Sequence, residues 1–185
     1  MNYVFRYQLI RLLFFVIPSA ETRSKLLKKH RYFYEMGENV HFQPRVLPAD
    51  PKFIKLHNNI AVASNVSFVT HDIIHKVLNH LPDQNVKFKS HLGCIEVMDN
   101  DFIGSGTRIM PNVRIGSNTV IASGSVITKD IPGGGIYAGC PAKRIGDFDK
   151  LVENRKIESK GITETNRDKR VKIEWERFDD LRRDT

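Results

Sequence analysis

The chain has 185 residues, 41% hydrophobic and 27% charged, enough to bury the core of one globular domain with tails; this excludes a fibre, a disordered tract or a mini-protein. Its 29 basic and 21 acidic side chains leave a formal charge of +8, which favours anionic partners, and phosphate-bearing cofactors belong to that class as much as anionic lipids do. No nucleic-acid-binding motif accompanies the charge, so nucleic acid is not expected as a partner. Two cysteines, Cys94 and Cys140, form neither a disulfide framework nor a metal-ligand pair, which points to a reducing, cytoplasmic compartment.

Residues 1–38 read as an N-terminal helical segment. Leu9 to Ile17 is apolar apart from Arg11. It is too short to span a bilayer, and Pro18-Ser19-Ala20-Glu21 is a poor signal-cleavage site. The simplest expectation is a helix packed on the protein. Phe5 to Ile17, followed by Lys25, Lys28, Lys29 and Arg31, also suits peripheral contact with an anionic membrane surface.

Residues 39–146 carry an internal repeat. A branched or aromatic apolar residue recurs every six positions at Leu56, Val62 and Phe68, and again at Val97, Ile103, Ile109, Ile115, Ile121 and Ile127. Two and three positions after these anchors stand turn formers: Asn58-Asn59, Ser64-Asn65, Asp99-Asn100, Ser105-Gly106, Pro111-Asn112, Ser117-Asn118 and Ser123-Gly124. A period of six fits neither a helix nor a hairpin array. It fits a short strand and a corner, repeated, so that three units close a triangular coil and stacked coils align the anchors into a core. The fold class is therefore an all-β solenoid, a parallel β-helix. The interval between Phe68 and Val97 breaks the register and predicts an inserted loop at residues 72–94, holding His75, His80 and His91.

Residues 147–185 read as a C-terminal capping helix and a charged tail. Phe148, Leu151 and Val152 place a helical cap over Asp147 to Glu158, while Ile173, Trp175, Phe178 and Leu181 are spaced as one amphipathic helix that packs on the body or on a neighbouring subunit.

His71 occupies the corner slot that other repeats fill with Asn or Gly. A histidine at a corner beside an insertion can be both aimed and accessible, and a neutral imidazole can take a hydroxyl proton. The competing reading is an ordinary surface histidine. Downstream, Ser123 to Pro132 and Ala138 to Ile145 combine small residues with Lys129, Lys143 and Arg144, cations suited to phosphates or to a solvated basic edge.

The run DFIGSGTRIMPNVRIGSNTVIASGSVITKDIPGGGIYAGCPAKRI, with FVTHD upstream, resembles the hexapeptide-repeat acyltransferases, in particular the galactoside, maltose and xenobiotic O-acetyltransferases. The resemblance covers residues 39–146. It implies a left-handed parallel β-helix, a homotrimer, and acetyl-CoA lying between adjacent prisms. It assigns His71 as the general base for direct acetyl transfer to a hydroxyl, and Ser105, Ser123, Thr128, Lys129 and Lys143, helped by Arg144, as cofactor contacts. Phe102 and Cys140 depart from the family pattern. Only about 35 residues precede the repeats, too few for the N-terminal domains of serine or nucleotide-sugar acetyltransferases, so a sugar or polysaccharide-precursor hydroxyl is the expected acceptor.

Three alternatives stand beside this reading. The coil also serves γ-type carbonic anhydrases, but of His71, His75, His80 and His91 only His71 lies on the hexad grid, so no metal is expected. A scaffold that has lost its chemistry, and transfer to an amine or another non-sugar acceptor, are the other two. Cys94 and Cys140, expected to be inert thiols bordering buried segments, lack an evident base and are not read as nucleophiles.

Overall fold

The structure is a computed structural model that describes residues 3–82 and 85–183; the side chains of residues 3–6, Phe5 among them, lie outside that description. It comprises two units, divided after Phe148.

The first unit opens with helices α1 (Tyr3–Val16) and α2 (Ala20–Lys29), then strands β1 (Glu35–Met36) and β2 (Val40–Phe42). A 3-10 turn, Pro51–Phe53, leads into β3 (Ile54–Leu56), β4 (Ile60–Val62) and β5 (Ser67–Phe68), and the insertion holds α3 (Ile74–Leu78). Then come β6 (Ile95–Val97), β7 (Asp101–Ile103), β8 (Arg108–Ile109), β9 (Val113–Ile115), β10 (Thr119–Ile121) and β11 (Val126–Ile127), followed by β12 (Gly135–Gly139) and β13 (Ala142–Asp147).

From β3 to β11, consecutive strands enter three different sheets in rotation. The sheet orders are β1-β3-β6-β9, β2-β4-β7-β10-β12-β13 and β5-β8-β11. All pairings are parallel except that of β12 with β13. The predicted parallel coil is therefore present, and the registers align its anchors: Leu56, Val97 and Ile115 in the first sheet, Val62, Ile103 and Ile121 in the second, and Phe68, Ile109 and Ile127 in the third. Every one of these nine side chains is buried. Burial of a Val, Leu or Ile side chain stabilises by about 1.5–3 kcal/mol, and here the six-residue spacing makes that burial cumulative.

The corners follow from backbone sterics. Asn59, Asn65, Asn100, Asn112 and Asn118 have φ between 55° and 64°, and Gly106 and Gly124 lie at 72° and 74°. These are the second residues of the predicted turn pairs, and Asn and Gly are the types that tolerate this left-handed region. Asn59 donates to Asn100 Oδ1 at 2.8 Å and Asn100 to Asn118 Oδ1 at 3.0 Å, so one corner is knitted along the coil axis.

The N-terminal end is plugged by aromatic packing. Phe14, Tyr32, Phe33 and Phe42 are fully buried, with Phe42 stacked on Phe68 at 6.2 Å and Phe33 at 5.4 Å from Phe42. An open sheet edge exposes backbone donors, and α2 satisfies one at β2: Phe42 N donates to Ser24 Oγ at 2.8 Å. Arg23, buried, donates to the carbonyls of Ile17, Pro18 and Gln43, tying the α1–α2 link to the coil. At the other end, β13 runs antiparallel to β12 and ends the parallel stack.

The second unit holds α4 (Phe148–Lys160) from its second residue onward and α5 (Arg167–Arg183). The stretch predicted as a cap is helical but buries no residue, and Ile173, Trp175, Phe178 and Leu181 on α5 are exposed. The cysteine expectation is corrected: Cys94 and Cys140 are both free and exposed. Strand alternation explains Cys94, which precedes the buried anchor-side Ile95 and so falls on the outside.

Candidate active site

The third sheet, β5-β8-β11, has the expected site residues at its two edges. Phe68 seats in the core, Val69 N donates to Ile109 O at 2.9 Å, and Thr70 is buried. At the next residue the chain leaves the coil. His71 does not take the left-handed corner conformation of its counterparts; it forms an antiparallel bridge to Leu92. Asp72 N donates to His91 O at 3.3 Å, and Gly93 N to Thr70 O at 2.8 Å. The insertion is thus closed at its base, and this closure fixes the backbone that carries His71.

His71 Nδ1 is shielded from solvent and lies 2.5 Å from Asp50 Oδ2. The contact is short without the alignment of a hydrogen bond, and it is an ion pair only when the imidazole is protonated. Thr70 Oγ1 donates to the same carboxylate oxygen at 3.3 Å. Asp50 is itself held, since its carbonyl accepts from Phe53 N at 3.1 Å in the 3-10 turn. Both side chains remain about one-third exposed. Asp50 also lines a cleft of about 270 Å³ with Tyr7, Gln8, Arg11 and Lys52. The sequence reading missed Asp50; the only local signal was the Asp50-Pro51 turn dipeptide.

The residues expected to contact the cofactor fall in two groups. Ser105 and Ser123 are exposed and stacked at the corner between the second and third sheets, where Gly124 N donates to Ser105 O at 2.8 Å. Strand register carries Lys143 to the same corner: Tyr137 pairs with Ile121, so Ala138 and Gly139 run over Ala122 and Ser123, and Lys143 pairs with Ala138. A Cβ built on Gly124 would meet nothing within 4 Å, so this corner is an open ledge. Thr128 and Lys129 stand at the opposite corner of the third sheet, the one that holds His71, two strand spacings or roughly 10 Å along the axis. Among the described residues no ion pair holds Lys129 or Lys143. Arg144 is engaged in the hairpin, donating to Asp147 at 2.5 Å and to the carbonyl of Gly134 at 3.1 Å.

His75, His80 and His91 do not gather with His71: among the described residues no three His, Cys, Asp or Glu side chains could hold a metal ion. Phe102 is on the outer face of β7 and exposed.

Residues 95–129 match the bacterial transferase hexapeptide model (six repeats). A Schizosaccharomyces pombe protein named as an acetyltransferase is 33% identical over 129 residues, 65% of this chain and 57% of the relative. The galactoside O-acetyltransferase of Lactococcus lactis is 28% identical over 157 residues, covering 72% of each chain. Among solved structures, a galactoside acetyltransferase in complex with coenzyme A superposes with a TM-score of 0.58 at 26% identity, over 80% of this chain and 82% of the other. The coil and its corners define a hexapeptide-repeat protein. The chain is similar to hexapeptide-repeat acetyltransferases, galactoside O-acetyltransferases among them. It spans a little under three-fifths of the length of the Schizosaccharomyces pombe relative.

Proposed function

We propose that the protein is an acetyl-CoA-dependent O-acetyltransferase acting on a hydroxyl of a sugar or polysaccharide precursor, with His71 as general base. The observation that carries this reading is the contact of His71 Nδ1 with Asp50 at the base of the insertion. A carboxylate at Nδ1 favours the tautomer with its proton there, which leaves Nε2 as the basic nitrogen. His71 Nε2 then takes the acceptor hydroxyl proton as that oxygen bonds to the thioester carbonyl carbon. The carbon–sulfur bond breaks, and the proton passes to the departing thiolate. No acyl-enzyme is required.

Acetyl-CoA suits the residues present. The open ledge of Ser105 and Ser123 admits an extended ligand, and Lys129 and Lys143 offer cations to its phosphates. Thr128 flanks Lys129, while Arg144 acts on the site through the hairpin it holds. The two groups lie on opposite edges of one sheet, an arrangement that suits a homotrimer in which one subunit's His71 edge faces its neighbour's ledge; the left hand of the coil is what the resemblance to the acetyltransferases implies. Free, exposed thiols at Cys94 and Cys140 suit the reducing cytoplasm.

Calorimetric titration with acetyl-CoA tests the reading without knowledge of the acceptor. Saturable binding, weakened roughly tenfold in Lys143→Ala as expected for a lost charge-assisted contact, supports it. Absence of binding by the folded protein overturns it in favour of a scaffold.

A further inference from the structure

Helix α1 is apolar on two sides. Ile10 and Phe14 are buried on one of them. On the other, Leu9, Leu12, Leu13 and Val16 follow the i, i+3, i+4, i+7 spacing of a single stripe and are 36–72% exposed. Phe15, beside the stripe, is 65% exposed. The patch has a cationic border at its C-terminal end, where Arg45 donates to Phe15 O at 3.2 Å, and the next residue, Val46, is 78% exposed. An apolar stripe left outward on a surface helix marks an interaction face.

Charge selects the occupant. The first twenty residues contain no carboxylate, and through residue 31 there are seven cations, Arg6, Arg11, Arg23, Lys25, Lys28, Lys29 and Arg31, against Glu21 alone; of these, Arg23 is buried on backbone carbonyls and Lys28 is paired with Glu38. Glu21 is already paired with Lys25 at 2.6 Å. Helix α5 offers the contrast: its Trp175 and Phe178 are also exposed, but five carboxylates, Asp168, Glu174, Glu176, Asp179 and Asp180, are interspersed among its seven cations. No helix among the described residues is long and apolar enough to cross a membrane. A 14-residue helix is about 21 Å long and lies in an interface rather than spanning it.

We propose that the outward stripe Leu9, Leu12, Leu13 and Val16 of α1 docks the protein on an anionic lipid surface. Apolar side chains enter the headgroup boundary, and the surrounding cations meet lipid phosphates. Because Tyr7, Gln8 and Arg11 of the same helix line the cleft with Asp50, docking brings that cleft close to the membrane plane. The inference does not rest on the enzymatic reading.

The test is co-sedimentation of the full chain with phosphatidylcholine vesicles, with and without phosphatidylglycerol. Partitioning that requires phosphatidylglycerol, weakens with salt, and falls at least about tenfold in Leu12→Glu/Val16→Glu is the expected result. Thermal melts of both proteins check folding, and Val16→Glu alone, at the helix end, carries the test if the double variant does not fold. Wild-type protein that stays in solution, or a folded variant that binds as well as wild type, overturns the proposal. So does a larger assembly that dissociates on substitution without any vesicle binding, which would assign the stripe to a second copy of the chain.

Discussion

His71 Nδ1 and Asp50 Oδ2 are 2.5 Å apart although the residues belong to different turns of the chain, one after β5 and the other before β3. In the proposed mechanism Asp50 touches the base and not the reacting atoms, which makes it a positioning residue. Replacing it with Asn keeps the size and removes the charge. The expected outcome for Asp50→Asn is a fall in kcat of roughly tenfold to a hundredfold, with the KM for acetyl-CoA unchanged. Steady-state kinetics check this; a change in KM alone would make Asp50 a binding group instead.

Asp101 supplies a pH dependence. It is buried on β7, and burial pushes its carboxyl up from 3.8 to about 8, against the lowering effect of Thr119 N, which donates to Oδ1 at 2.8 Å; the Asp99 charge adds a smaller upward push. Its Oδ2 is buried without a partner. The folded protein therefore holds a proton that the unfolded chain releases. Stability from this group is complete below about pH 4, declines as pH rises to about 8, and levels off above it. Asp101→Asn mimics the protonated form, so its thermal midpoint should match wild type near pH 4 and exceed it by several degrees at pH 9. Melts across that range test the sign.

Coil stacking leaves no room at Gly104. A Cβ there would lie 2.5 Å from Ser123 N and 2.7 Å from Ile121 O, both backbone atoms that cannot rotate away. Gly104→Ala should destabilise by more than about 2 kcal/mol, within the range for overpacking. A thermal melt reads this directly. Gly124→Ala, where space is open but φ is +74°, should cost only about 1–2 kcal/mol of backbone strain.

The coil was legible because burial and turn chemistry both repeat with its period. Ile103 and Ile121 could be matched across β7 and β10 from spacing alone, and Asn100 and Asn118 announced their corners through residue type. His71 was legible as a departure from that pattern. Asp50 was not, because it lies in an aperiodic connection whose path depends on the 3-10 turn and on Thr70. Nor was the second apolar stripe of α1, since a run from Leu9 to Ile17 that is apolar at every position but Arg11 does not reveal which face the coil will cover. Arg144 looked like a free cation in sequence, and its commitment to Asp147 and Gly134 depends on the β12–β13 register.

The most direct test of the central claim is coenzyme A release from acetyl-CoA, measured over a panel of galactosides and maltose for wild type and His71→Ala in parallel. Acceptor-dependent release by wild type, reduced roughly 100-fold or more in a variant that still binds acetyl-CoA, is the predicted result. Equal rates for the two proteins would contradict it, and His71 would then be no more than the residue at which the insertion leaves the coil.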